Sequence, residues 1–98
     1  MPYFIETWDK PGHAAVRQAH RPEHLEFLEA HKAILLACGA KLQDDGTDAG
    51  GGVYIVALDT RAEAEAFIAA DPFHKADLFA RVNITNWRKA YVDGQCLL

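Results

Sequence analysis

Three histidines lie close together in the stretch AHRPEHLEFLEAHKA, residues 19–33: His20, His24 and His31. His20 and His24 are four positions apart, the spacing that zinc ligands use on a continuous helix. Imidazole is also suited to general acid–base catalysis, because it gains or loses a proton near neutral pH. The stretch therefore carries a metal site, a catalytic histidine, or the exposed side of a helix.

Pro22 lies between the first two of these histidines. Proline lacks the N–H group and clashes with the preceding turn in a helix interior, whereas it fits the first position of a helix. The sequence thus predicts a helix over 22–32, with His20 outside it and His31 two turns beyond His24. We expect neither a metal site nor a cofactor, because no further cluster of ligand-type residues accompanies the histidines.

On this prediction His24 lies in the first turn of its helix. The positive end of the helix dipole disfavours imidazolium, so the ring stays neutral and able to accept a proton. A nearby carboxylate has the opposite effect on the charge and also fixes the tautomer. Asp71 is the candidate carboxylate. The alternative is that Asp71 only ends a helix before Pro72 and that His24 is an exposed helix residue.

The hydrophobic pattern predicts the elements that must position these residues. Residues 43–52 are rich in turn formers and join two strands into an antiparallel hairpin. Thr60 and Glu63 have the spacing of a capping box at the start of the second helix, and the Asp71-Pro72 pair ends it. The predicted strands are 2–8, 33–42, 53–58 and 79–87, and the predicted helices are 22–32 and 61–70.

The order βαββαβ predicts a ferredoxin-like α+β fold, a single domain over 1–98, with a four-stranded antiparallel sheet and both helices on one face. At one end of this fold the topology gathers Trp8, Arg21, the hairpin loop and Asp71. Arg21 can hold a carboxylate or phenolate oxygen through its planar guanidinium, or it is simply solvated. Asp45 and Trp8 are the further substrate-binding candidates, and residues 50–52, all glycine, are predicted to form a flexible lid.

Composition argues against several classes of function. The net charge is -4 and the ten Lys and Arg residues are scattered, whereas nucleic-acid binding needs a basic patch. No apolar run approaches the roughly 20 residues that span a bilayer, and the start has no signal-peptide pattern. We expect a cytoplasmic protein without membrane contact, in which Cys38 and Cys96 form no disulfide.

The third predicted strand is apolar on both faces, although two helices can cover only one of them. Val53 and Ile55 alternate with Tyr54 and Val56 along this strand. We expect a homodimer in which two copies pack through their open sheet faces. The alternative is that a single apolar strand in a small sheet needs no partner.

Four segments of the chain resemble the YCII-related (YciI-like) family of small bacterial proteins. They are RPEHLEFL (21–28), LQDDG (42–46), GGGVYIVALDTRAEAEAFIAADPF (50–73) and ITNWRKA (84–90). The resemblance implies a ferredoxin-like fold that assembles as a dimeric α+β barrel. It also implies a cavity that contains a histidine–aspartate pair, which falls on His24 and Asp71.

Two functions follow from this reasoning. The first is a metal-independent enzyme in which His24 acts as general acid–base and Asp71 orients it. Its substrate would be a small cyclic or aromatic molecule, and its reaction that of a lyase, an isomerase or a dehalogenase. The second is a non-catalytic module in which the same residues bind a small organic ligand. A purely structural or partner-docking dimer is a third possibility.

Overall fold

The secondary structure of the computed structural model, which describes residues 2–98, follows the predicted βαββαβ order and adds a short helix and a terminal hairpin. The strands are β1 (Tyr3–Asp9), β2 (Leu35–Leu42), β3 (Asp48–Val56), β4 (Phe79–Asn86), β5 (Tyr91–Val92) and β6 (Gln95–Cys96). The helices are α1 (Ala14–Ala30), α2 (Arg61–Ala69) and α3 (Pro72–Lys75). The predicted capping box is present, because Thr60 and Glu63 exchange hydrogen bonds at the start of α2.

The four long strands form one antiparallel sheet in the order β2-β3-β1-β4. Ile5 lies opposite Tyr54 on one side and Ile84 on the other, so these side chains share the face that the helices cover. The remaining strands, β5 and β6, pair only with each other. The predicted ferredoxin-like fold is confirmed.

The hydrophobic core lies between the sheet and helices α2 and α3. Ten buried side chains form it: Tyr3, Ile5, Tyr54, Val56, Ala64, Phe67, Ile68, Phe73, Leu78 and Phe79. By contrast, α1 has no fully buried residue and contributes only partly buried side chains to the core.

No helix within residues 2–98 is long and apolar enough to span a membrane.

The predicted start of the first helix at Pro22 is wrong, because α1 begins at Ala14 and continues through the proline. Pro22 has no N–H group for the carbonyl of Gln18, a defect worth about 3 kcal/mol in a helix interior. Val16 before the proline and Phe27 after it both pack against the core, and this packing supports one continuous helix. His20 therefore lies on the helix as well, with its Nδ1 atom 3.6 Å from Glu23.

The stretch of three glycines is also not the predicted lid. Strand β3 begins at Asp48 rather than at residue 53, so residues 50–52 lie inside the sheet. Gly51 has φ +149°, and a Cβ atom on it would overlap the carbonyl oxygen of Thr7 on β1. The backbones of β1 and β3 thus approach more closely at this point than any other residue type would allow.

We expect the Gly51→Ala substitution to lower the free energy of unfolding by about 3 kcal/mol, since the methyl group displaces a β1 carbonyl and the backbone angle becomes strained. Gly39→Ala is the matched control, because a Cβ atom on Gly39 meets no atom within 4 Å. It should change stability by less than about 0.5 kcal/mol. Denaturant unfolding of both variants tests the prediction, which fails if the two lose the same stability.

Candidate active site

The structure brings His24 of α1 and Asp71 into contact across 47 positions of sequence. The Nδ1 atom of His24 lies 2.9 Å from Oδ1 and 3.0 Å from Oδ2 of Asp71. The Asp71 side chain has no exposed surface, and that of His24 is 12% exposed. The pair thus has a buried carboxylate and an imidazole that remains accessible from one side.

Two further donors surround the Asp71 carboxylate. The hydroxyl group of Tyr54 donates to Oδ2 at 2.8 Å, and the backbone N–H of Phe73 donates to Oδ1 at 2.9 Å. Three donors therefore meet an ionised acceptor, the arrangement that makes a buried carboxylate stable. In the neutral ring, this arrangement places the proton of His24 on Nδ1 and leaves Nε2 as an acceptor. Within residues 2–98, no hydrogen-bond partner occupies Nε2.

Local sequence explains why Asp71 and Phe73 lie where they do. Asp71 follows α2 in an extended conformation and caps α3, with Pro72 at the first position of that short helix. The next residue, Phe73, is fully buried and stacks on the His24 ring, with 4.0 Å between centroids and 17° between planes. The Asp-Pro-Phe element therefore supplies both the carboxylate and the surface that fixes the imidazole plane.

His24 does not lie in the first turn of a helix, as the sequence predicts, but near the middle of α1. The effect of the helix dipole falls off within one turn of the helix end, so it contributes little at this position. The charge state of His24 therefore depends on Asp71 and on the other groups that line the cavity.

A cavity of about 250 Å³ lies in front of the pair, between α1 and the strands β2 and β3. It exists because α1 stands away from the sheet and because small residues occupy the sheet below it, among them Gly39, Ala40 and Gly52. Its lining residues are Arg17, Arg21, His24, Leu25, Leu28, Cys38, Gly39, Ala40, Gly52, Tyr54 and Phe73. A wider cleft of about 820 Å³, which runs to the β1–α1 loop, shares Arg17, Arg21 and Ala40 with it.

Arg17 is a site residue that the sequence reasoning missed. Its guanidinium binds Asp9 through two hydrogen bonds, of 2.6 and 3.1 Å, and its Cζ atom lies 4.6 Å from the centre of the Phe73 ring. Residues 17, 21, 24 and 28 have the spacing of one face of a helix. Had the helix been predicted to continue through Pro22, this spacing would have placed Arg17 on the same face as His24. The predicted start at Pro22 left Arg17 outside the helix.

Tyr54 was also missed, because it falls in a strand that is apolar throughout. Burial raises the pKa of its phenol, and the charge and hydrogen bond of Asp71 raise it further. Burial likewise raises the pKa of the Cys38 thiol, with a smaller contribution from the charge of Asp71. The sequence did offer a signal for Tyr54. The side chains of β3 point alternately to the two faces of the sheet, and a tyrosine on the buried face normally needs a partner for its hydroxyl group.

The remaining predicted residues are placed differently from one another. Arg21 lines both cavities and is exposed. Trp8 lies on the open face of the sheet, where Lys41 and Arg81 stack on its ring, so it does not line the cavity. The carboxylate of Asp45 accepts hydrogen bonds from Thr47 within the hairpin turn, which lowers its pKa, and it too lies away from the cavity. Neither residue is in position to bind a ligand beside His24.

In the part of the chain that the structure describes, no group of three or more His, Cys, Asp or Glu side chains is arranged to hold a metal ion. His20 and His24 share one helix at the spacing that suits a metal. However, His24 already directs Nδ1 to Asp71, and His20 lies beside Glu23.

A ferredoxin-like sheet, with a histidine–carboxylate pair beside a cavity between its first helix and the sheet, defines a small α+β domain with a candidate active site. Residues 1–88 match the model of the YCII-related domain, so the chain belongs to this family. This match confirms the resemblance to the YCII-related family that the four sequence segments indicate. A search of curated proteins finds no match to the chain.

Several solved structures are similar to the chain. The 5-chloro-2-hydroxyhydroquinone dehydrochlorinase of Burkholderia phenoliruptrix AC1100, in complex with 2,5-dihydroxybenzoquinone, is 33% identical, with a TM-score of 0.82 over 90% of this chain and 94% of that one. Protein Atu4242 of Agrobacterium tumefaciens is 23% identical, with a TM-score of 0.49 over 87% and 89% of the two chains. An antibiotic biosynthesis monooxygenase is 16% identical, with a TM-score of 0.49 over 90% and 98%.

We expect Asp71→Asn to lower the free energy of unfolding by about 2–4 kcal/mol. The amide offers one acceptor oxygen to three donors, and its NH₂ group then faces at least one of them. Asp44→Asn is the control, since Asp44 is exposed in the hairpin turn, and its melting temperature should match that of the wild type. Equal melting temperatures for the two variants would contradict the assigned hydrogen bonds.

Proposed function

We propose that this protein is a small-molecule enzyme in which His24 is the general acid–base and Asp71 orients it. The observation that carries the proposal is the geometry of one ring: Nδ1 is held by a buried carboxylate, while Nε2 is unpaired within the described residues, beside a cavity. A histidine with a fixed tautomer and a free second nitrogen is equipped to take and return a proton.

The cavity supports a small planar substrate with at least one acidic oxygen. A volume of about 250 Å³ is below the usual range for drug-sized ligands and suits a single substituted ring. Leu25, Leu28 and Phe73 offer apolar surface for such a ring. Arg17 and Arg21 offer positive charge for a phenolate or carboxylate oxygen.

The similarity to a dehydrochlorinase supports elimination of HCl from a chlorinated hydroxyhydroquinone as the reaction to test first. Two hydroxyl protons leave the ring oxygens, and one proton returns to the carbon that carried chlorine. The electron pair that the ring gives up departs with chloride, so the ring becomes a quinone without an external oxidant. His24 is the group that accepts and returns the protons, and Arg17 or Arg21 stabilises the oxyanion.

The test is chloride release from 5-chloro-2-hydroxyhydroquinone by the wild type and by His24→Asn. The asparagine amide can still donate to Asp71, but it has no equivalent of Nε2. We expect a fall of about 10²–10⁴ in kcat, the usual contribution of a general base.

His20→Asn, one helical turn away and outside both cavities, is the control and should keep full activity. If His24→Asn also keeps full activity, this mechanism is wrong. If the wild type binds the compound and returns it unchanged, a ligand-binding module is the better description.

We also propose that two copies of the chain pack through their open sheet faces. Along β1 and β3, buried residues alternate with Phe4, Val53 and Ile55, so these three side chains point away from the helices. On that open face they are only half-buried. The same face carries charged groups, among them the Glu6–Lys41 pair and Arg81 over Trp8. An apolar centre with a charged surround is typical of an interface.

We expect Ile55→Arg to convert a dimer into a monomer, because Ile55 lies at the centre of this face between Phe4 and Ala37. Glu65→Arg changes the charge on the outer side of α2 and should leave the mass in solution unchanged. Light scattering coupled to size exclusion measures both. A wild-type monomer at high micromolar concentration would contradict the proposal.

Both cysteines are free thiols, Cys38 in β2 and Cys96 in β6. Free thiols persist in a reducing compartment, which supports a cytoplasmic location for the protein.

A further inference from the structure

Tyr54 contacts both members of the histidine–aspartate pair. It lies on β3 with its side chain on the helix-covered face and is 4% exposed. Its hydroxyl group donates to Oδ2 of Asp71 at 2.8 Å, and its ring meets the His24 ring edge-on, with 6.2 Å between centroids. We propose that Tyr54 is a positioning residue that limits how strongly Asp71 holds a proton on His24.

The argument starts from the oxygen that the two residues share. Oδ2 of Asp71 accepts from the Tyr54 hydroxyl group at 2.8 Å and lies 3.0 Å from Nδ1 of His24. A neutral donor on a carboxylate oxygen stabilises the negative charge and weakens its attraction for a neighbouring cation. Without the hydroxyl group, more of the negative charge of Asp71 would act on His24 and favour imidazolium, although the N–H of Phe73 would still donate to Oδ1.

Tyr54 acts through Asp71 and not as an acid or base of its own. Burial and the neighbouring carboxylate raise the pKa of the phenol, so it stays protonated at physiological pH. Its single proton is already donated to Asp71. The hydroxyl group therefore has no proton to offer a ligand in the cavity.

The other groups that face His24 do not depend on this hydroxyl group. Arg17 and Arg21 line the same cavity from α1, and Cys38 lines it from β2. The two arginines disfavour imidazolium, as Tyr54 does, and Arg17 is held in place by Asp9 rather than by Tyr54. Removal of the hydroxyl group therefore changes one influence on His24 and leaves the others in place.

This inference rests on the proposed function for its consequence in catalysis. A general base must be neutral to accept a proton, and an unmoderated carboxylate favours the protonated form of His24. Tyr54 thus extends toward lower pH the range in which His24 can act.

The test uses Tyr54→Phe, with Tyr3→Phe as the matched control in the same sheet. The phenylalanine ring keeps the edge-on contacts of Tyr54 with His24 and Phe67. We expect the acid limb of the pH–rate profile for chloride release to move up by about one pH unit in Tyr54→Phe. Activity at the foot of this limb falls about tenfold and recovers at higher pH. A loss of equal size at every pH would show a merely structural role and overturn the inference.

A second measurement needs no substrate. Titration of ¹⁵N-labelled histidine by NMR should show the protonation midpoint of His24 moving up in Tyr54→Phe and staying unchanged in Tyr3→Phe. A midpoint that stays or moves down in Tyr54→Phe overturns the inference. Introduction of 3-fluorotyrosine at position 54, a stronger donor that keeps the fold, should move the midpoint down. If the midpoints move as expected but no chloride is released by the wild type, the proposed reaction fails while the role of Tyr54 stands.

Discussion

The buried negative charge of Asp71 is the constraint on which the site depends. An ionised carboxylate without solvent contact is stable only if protein donors replace water, and three different elements supply them here. His24 comes from α1, Tyr54 from β3, and the backbone N–H of Phe73 from α3. Because each donor lies on a separate element, the charge fixes the position of the first helix relative to the sheet, as well as the tautomer of the histidine.

The second feature of the molecule is the incomplete packing of α1. Helix α2 buries Ala64, Phe67 and Ile68, whereas α1 buries no residue fully. The space left between α1 and the sheet is the cavity, and the small residues of β2 and β3 enlarge it. The domain thus buries little apolar surface under α1. The hydrogen bonds between His24 and Asp71 help to hold this loosely packed helix in place. A chain of 98 residues has only a small core, so the apolar surface left unburied around an open cavity lowers its stability noticeably.

Prediction from the sequence succeeded where local chemistry and tertiary packing agree. The Thr60–Glu63 capping box and the Asp71-Pro72 break are decided by residues close in sequence, and both are present in the structure. It failed at Pro22, where the local preference against proline is outweighed by core contacts on both sides of it. It also failed at residues 50–52, because these glycines lie inside β3 and the close approach of β1 and β3 requires glycine at position 51.

The sequence by itself determined the fold class, because hydrophobic periodicity fixes the order of the strands and helices. It offered His24 and Asp71 only as a candidate pair, which the family resemblance also implied. Only the tertiary structure decided the rest of the site. Arg17 joins it because α1 continues through the proline, and Tyr54 joins it because β3 turns that residue toward the helices. Trp8 is excluded from it by the same alternation, which points its ring to the open face. Side-chain direction depends on the exact phase of each helix and strand, and that phase is set by packing across the whole domain.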